Sequence, residues 1–335
     1  MTAENKQTLR GAGANKPRPS FDWNWISDNG GTVALIVILA FNILVTPNFL
    51  HPQTLFVNIS QVATIAIVAV GMTLVIATGG IDLSVGAVMA LAGALAPLIF
   101  TSPFAEANPE LGLALAILVP VLVALVCGVF NGFMVSYLNV QPIVATLIFF
   151  ISGRGIALVL TNGNLQTFTH PGFSYLGTGK VLGFPFQGYL VVVIAVIIWW
   201  LMNYSVFGRQ LLAVGGNEKA AKLSGVPVRR VKIGAYVICA GLSGIAGLIV
   251  VAINSASDAA RIGNLMELDA IAAAVVGGTL LQGGKAPIFG AVLGAVIIQL
   301  VKYTLLANGV ADEVALIAKA GIIIMAVYVQ QARKE

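Results

Sequence analysis

The chain is predicted to be an all-α polytopic membrane protein of about ten transmembrane helices, with both termini in the cytoplasm. Of its 335 residues, 58% are hydrophobic and 9% are charged, whereas soluble globular proteins carry about 25% charged residues. Apolar runs repeatedly approach the roughly 20 residues that cross the hydrocarbon as a helix. Their hydrophobicity is continuous rather than alternating, which excludes an outer-membrane barrel. Basic residues are also strongly partitioned between alternate loops, as set out below.

Residues 1–30 are expected to form a mobile cytoplasmic tail and residues 31–331 a single transmembrane domain. The tail carries Lys6, Arg10, Lys16 and Arg18 but lacks the early apolar core and cleavage site of a signal peptide. Thr32–Val45 is the first span, closed by Pro47, and Ile59–Ala77 is the second. Leu83–Phe100 is the third, Leu111–Tyr137 the fourth, and Pro142 opens the fifth, Ile143–Leu160. A long outer loop, 161–187, precedes Gly188–Met202, whose Trp199-Trp200 pair is an interfacial signature. After the charged stretch 203–232 comes Ile233–Ile253, whose small residues permit close helix packing. Leu265–Leu281 and Ala286–Leu306 are joined by Gln282-Gly283-Gly284-Lys285, and Val314–Val329 is the tenth span.

An even count puts both termini on one side. That side then holds Lys6, Arg10, Lys16, Arg18, Arg209, Lys219, Lys222, Arg229, Arg230, Lys232, Lys285, Arg333 and Lys334, against Lys180 and Arg261 opposite. Positive loops stay cytoplasmic, so this partition sets the orientation. The net charge of +5 is therefore read as topology, with membrane lipid and not nucleic acid as the partner. Cys127 and Cys239 fall in apolar runs and are expected to be small buried hydrophobes, with no disulfide and no metal site.

The stretch Leu74–Ala96 breaks at Thr78-Gly79-Gly80-Ile81-Asp82-Leu83-Ser84. Paired glycine lets the backbone leave the helix, and Asp82 or Ser84 can accept from the free N–H groups that open the next one. The first expectation is a turn at the membrane surface, the second a kink beside a pathway. The phrase has an echo: Val70–Leu74 with Gly79–Val88 resembles Val276–Leu280 with Gly283–Val292. Either an internal duplication, common in transporters, or similar small-residue turns would produce it.

In the charged stretch, Asn217–Leu223 is predicted to be a short helix, capped by Asn217, with Glu218 facing Lys222 and with Gly225 and Pro227 ending it. Such a helix suits a soluble motor subunit, and a plain solvated loop suits the composition equally. Three phrases then become specific: Gly71–Gly86 (GMTLVIATGGIDLSVG), Ala213–Glu218 (AVGGNE) with Leu223-Ser224-Gly225, and Glu267–Ala273 (ELDAIAA) with Val276–Thr279 (VGGT). In that order they resemble the permease subunits of bacterial ATP-binding-cassette monosaccharide importers, the ribose and galactofuranose permeases in particular. The resemblance runs from about Val33 to Gln330.

The resemblance implies a ten-span permease of the bacterial inner membrane, paired with a second copy or a paralogue. It implies a periplasmic sugar-binding protein docked outside and an ATPase subunit bound at 203–232, with Gly215, Gly216, Asn217, Glu218, Leu223, Ser224 and Gly225 as the coupling residues. ATP would be bound by that partner, so no cofactor and no catalytic residue are expected here. The sequence agrees: Gly284-Lys285 is followed by Ala286, and Thr279 stands where a Walker A loop needs its first glycine.

Pathway or helix-break candidates are Gly79, Gly80, Asp82, Ser84, Asn131, Thr146 and Arg154. Arg154 lies mid-span and would either donate to sugar hydroxyls or serve structure, paired with Asp82 or capping backbone. Thr73, Asn131, Thr146 and Gln299 offer hydroxyl and amide groups, but interhelical bonding is the commoner use of such residues. Glu267 and Asp269 open the eighth span, where a helix N-terminus welcomes acids. Phe168, Phe173 and Tyr175 are candidate anchors for the binding protein. Gly241-Leu-Ser-Gly244 has the pattern of a membrane serine protease but no base near it, since His51 and His170 fall in outer loops. The competing class is an ion-coupled secondary sugar transporter or facilitator. It is disfavoured because the acids lie at span ends rather than deep within spans.

Overall fold

The structure, a computed structural model, describes residues 30–311, 313–318, 320–322 and 324. The expected tail, Lys319 and the later part of the tenth span with Arg333 and Lys334 lie outside the described residues. Among the described residues, six helices are long and apolar enough to cross a membrane. They are α2 (Pro52–Ala77), α5 (Pro109–Ser136), α6 (Pro142–Leu160), α8 (Phe186–Tyr204), α11 (Val228–Asn254) and α13 (Ile288–Ala307). Two shorter apolar helices, α1 (Gly30–Val45) and α3 (Val85–Phe100), join them. Further helices are α4 (Pro103–Ala107), α7 (Pro171–Thr178), α9 (Val206–Gly216), α10 (Glu218–Leu223) and α12 (Met266–Val276), and the described residues 313–318 and 320–322 are also helical.

The arrangement is concentric. From Ala63 to Ala77 every residue of α2 is buried, a run that only a helix surrounded on all sides tolerates. Around it stand α11, α12, α13 and α8, while α3 is held between α11, α5 and α6. The small-residue face of α11 brings these helices close, with Gly244 against Ala124 and Gly247 against Met89. Outward, α5, α6 and α8 present Leu122, Val126, Ile148, Ile151, Val192 and Val196. Those side chains suit hydrocarbon.

At the loop end, β1 (Gln166–Thr167) pairs antiparallel with β4 (Ala256–Ser257), and β2 (Lys180–Val181) with β3 (Phe184–Pro185). The loop 161–187 therefore has structure of its own, and its aromatics are not all free. Phe173 is fully buried and Phe168 half-buried, both packed on Phe100, so of the three expected anchors only Tyr175 is exposed. The aromatics that look like a docking patch in sequence are the plug that seats α7 on α3.

Several expected spans change: the second begins at Pro52 rather than Ile59, and the seventh at Val228 rather than Ile233, inside the expected coupling stretch. The third begins at Val85 rather than Leu83, and the eighth is only Met266–Val276. Its expected tail unwinds at Gly277, where the backbone packs against Gly290. The connection to α13 is the whole stretch 277–287. Cys127 and Cys239 are buried, as expected.

Candidate functional site

The break between α2 and α3 turns at Gly79 (φ +81°), which is exposed, and then runs inward. Thr78, Asp82 and Ser84 are buried inside the protein, enclosed by α5, α6 and α11. Asp82 Oδ1 accepts from the Ser84 backbone N–H (2.9 Å) and from Ser84 Oγ (2.6 Å). Asn131 Nδ2 on α5 donates to Ser84 Oγ (2.7 Å), and Leu83 N donates to Thr146 Oγ1 on α6 (3.1 Å). Asp82 thus closes on the Ser84 N–H, while the first turn of α3 has no side-chain cap, contrary to the expectation for Asp82 or Ser84. Buried inside the protein, each freed backbone group needs such a partner. Asp82, Ser84, Asn131 and Thr146 therefore share one network, and its geometry is that of a clamp. Thr73 and Gln299 also bond between helices, to Thr279 and Gln61.

Arg154 does not meet Asp82. Its Nη1 donates to the carbonyls of Ala259 (3.0 Å), Ala260 (3.0 Å) and Ile262 (3.2 Å), which makes it the backbone cap and not the ion-pair partner. Ser243, in the protease-like phrase, is buried and donates to Cys239 O. His51 and His170 are spent as helix caps, at α2 and α7. Among the described residues no cluster of His, Cys, Asp and Glu could hold a metal ion.

The charged stretch 203–232 is more ordered than its composition suggests. Ser205 caps α9, an amphipathic helix whose Gly208, Leu211 and Val214 are buried. Asn217 then caps α10 as expected, accepting from Ala220 N at 3.0 Å. Glu218 does not serve Lys222. Its Oε2 lies 2.8 Å from Lys232 Nζ and so ties α10 to the first turns of α11. Gly225, at φ +81°, ends α10 in the left-handed region that other residues avoid. Glu218, Lys219, Lys222 and Ser224 are exposed, and Leu223 is 90% exposed. An apolar tip ringed by charge is a feature that suits a protein partner.

Beneath that surface lies a contact that sequence reasoning missed. Gly284 N donates to Ala77 O (2.9 Å), the last carbonyl of α2. Gly215 is wedged against the same two groups, and a Cβ there would overlap the Ala77 carbonyl oxygen. A Cβ on Gly283 would lie 2.8 Å from Gly215 O and 3.0 Å from Gly79 N. So Gly215, at the end of α9, leans on both helix breaks at once. The echo was the signal that could have found this junction. Its paired glycines, Gly79 and Gly283, face each other, as do its paired threonines, Thr73 and Thr279, at 3.4 Å.

A multi-pass α-helical membrane protein with interrupted helices, and a structured surface segment braced on the interruptions, is built as a transport permease. Residues 55–327 match the family described as "Branched-chain amino acid transport system / permease component", and the chain belongs to that family. The galactofuranose transporter permease protein of Escherichia coli (strain K12) is 37% identical over 323 residues, covering 94% of this chain and 93% of that one. The ribose import permease protein of Bacillus subtilis (strain 168) is 38% identical over 307 residues, 91% of this chain and 92% of that one. The L-arabinose ABC transporter permease protein of Azospirillum brasilense is 32% identical over 312 residues, 93% and 90% of the two chains. No solved structure matches the chain.

Proposed function

We propose that this chain is the membrane permease subunit of an ATP-driven importer that carries a monosaccharide across the bacterial inner membrane. The observation that carries the reading is likeness over nine-tenths of both chains to permeases named for galactofuranose, ribose and L-arabinose. In this reading the chain crosses the membrane ten times with both termini in the cytoplasm, and it pairs with a second permease, a copy or a paralogue. It is not itself an enzyme and needs no cofactor of its own. A separate ATPase subunit binds ATP and docks on 203–232, with the exposed Leu223 and the Gly216–Gly225 surface as the contact. A periplasmic sugar-binding protein meets the opposite face.

The junction supplies a mechanical route for that arrangement. A push on α9 and α10 reaches Gly215, and through it the end of α2 and the 277–287 connection. Nucleotide energy then biases one packing of the helices against another. The test is purification of the intact assembly, identification of its chains by mass spectrometry, and ribose uptake into proteoliposomes. An ATPase chain with a Walker A motif is expected to co-elute, and uptake is expected only with ATP inside the ATPase-bearing compartment. Uptake by the lone chain, driven by an ion gradient or by none, would establish the secondary transporter or facilitator instead.

A further inference from the structure

The segment between β4 and α12 does not stay at the loop end of the molecule. It enters beside Thr167, through the β1–β4 pair. It then runs down along α3: Ile262 packs on Gly93 and Gly263 on Gly86. The far end of α3, Phe100, stacks on Phe168 and His170 of the outer loop. Gly86 lies fourteen residues before Phe100, about 21 Å at 1.5 Å per residue. The chain then turns through Gly263 (φ +67°) and Leu265 (φ +59°) and enters α12 at that depth. Residues 258–265 are therefore irregular backbone well inside the span of the helices, and Arg261, expected among the outer-loop charges, lies below that surface.

Three of this segment's carbonyls are satisfied by Arg154 Nη1 from α6. Two further polar atoms beside it have no hydrogen-bond partner among the described residues: Arg154 Nη2, and Oε2 of Glu267, a residue 94% buried in the first turn of α12. On the open side, Ala260, Arg261 and Asn264 are exposed. The Arg261 side chain is 89% exposed, and its nearest acid is Asp258, with Nε 3.6 Å from Oδ2. Hydrocarbon tolerates neither irregular backbone nor a charged side chain facing it, and such backbone occurs at depth only inside protein or along water. Burial against a dry protein face would leave the Arg261 charge desolvated with Asp258 as its one acidic partner, an unfavourable exchange.

We infer that Ala260–Asn264 forms a wall of a water-filled solute path at depth, and that Arg261 and Asn264 are its hydroxyl-facing groups. A polyhydroxyl solute offers acceptors to the guanidinium and both donors and acceptors to the amide. This part of the inference rests on the sugar reading, and the path itself does not. Arg154 is a positioning residue here: it holds the segment down rather than meeting the solute.

The test uses the assembled importer with Cys127→Ala and Cys239→Ala as a cysteine-free parent. Arg261→Cys, Asn264→Cys and Ala260→Cys are each treated with a charged, membrane-impermeant thiol reagent. Ile151→Cys, exposed on the apolar face of α6 one turn from Arg154, is the lipid-facing control. The expected result is labelling of the segment at least tenfold faster than of the control. Equal rates, or cysteines that stay unreactive in the assembly as contact with a second permease would leave them, overturn the inference. Arg261→Gln is expected to lower ribose uptake at least tenfold at unchanged membrane level, and unchanged uptake removes Arg261 from the path. Uptake of ribose, galactofuranose and L-arabinose by the parent is scored separately: absence of all three counts against the sugar reading, while the labelling rates still decide the path.

Discussion

Between α2 and α3 the chain leaves the helix and is closed by side chains: Asp82 on Ser84, Asn131 on Ser84, Thr146 on Leu83. Between α12 and α13 an echo of the same phrase is closed by backbone, with Gly284 on the Ala77 carbonyl and Gly283 against Gly215. The first closure draws directed bonds from neighbouring helices and fixes the break in one geometry. The second depends on the absence of side chains, and its partner is the segment proposed to meet the ATPase. A directed network resists displacement, whereas small residues in van der Waals contact let surfaces slide. The difference suggests a division of labour in which one break anchors and the other transmits.

The sharpest way to break this comparison is Gly215→Val. Overpacking costs typically 1–3 kcal/mol, and here the added carbon overlaps a carbonyl rather than the tip of a flexible side chain. Loss of ATP-driven uptake by at least a hundredfold is expected. Gly155→Ala is the control, because a Cβ at Gly155 on α6 meets nothing within 4 Å and the residue lies outside the coupling segment. It should leave the thermal midpoint of the purified permease unchanged. Equal damage from both would show that the junction transmits nothing special.

A middle-sized effect is expected at the other break. Asp82→Ala removes the acceptor for two Ser84 donors and should cost about 1–3 kcal/mol, the usual penalty for buried groups left unpaired. Asp82→Asn keeps an acceptor oxygen and should lose less. The midpoint of thermal unfolding in detergent, followed for both variants, checks the order. If Asp82→Ala abolishes uptake at full stability, the anchor reading falls.

The smallest stability effect, and a functional one, is expected at Glu218→Arg. The Glu218–Lys232 pair is half exposed, with the Glu218 side chain at 54%. Surface pairs of this kind are worth about 0–1 kcal/mol. The variant should insert and melt normally yet lose ATPase-coupled uptake, because the residue lies on a contact surface and not in the core. Normal coupling in the variant would remove Glu218 from that contact.

The polytopic class, the Asn217 cap, the Pro142 start and the buried cysteines were all legible in sequence, because each follows from local composition or from one residue's own backbone preference. The clamp at Asp82 was half legible. The break itself shows as Gly79-Gly80, but Asn131 and Thr146 lie 47 and 63 positions away from the residues they bond. Their assignment to this one network needed the packing of α5 and α6. Sequence reasoning offered Lys222 to Glu218 because i,i+4 is the only neighbour rule a lone helix provides, whereas the fold brought Lys232 closer. It offered Phe173 to a partner because aromatics in a loop look free until α3 is seen to cover them. Arg154 could be flagged as costly in a membrane, but what it satisfies depends on which backbone comes down beside α6.

Composition and charge are sums over the chain, so the sequence by itself determined the solvent this protein prefers and the side on which its basic loops are expected. Close contacts between segments far apart in the chain belong to no window of residues. Tertiary structure alone therefore decided that Gly215 meets Ala77 and Gly283, and that the 258–265 segment descends between the helices. In both places backbone meets backbone or a distant side chain, and only the packed arrangement of all the helices sets those distances.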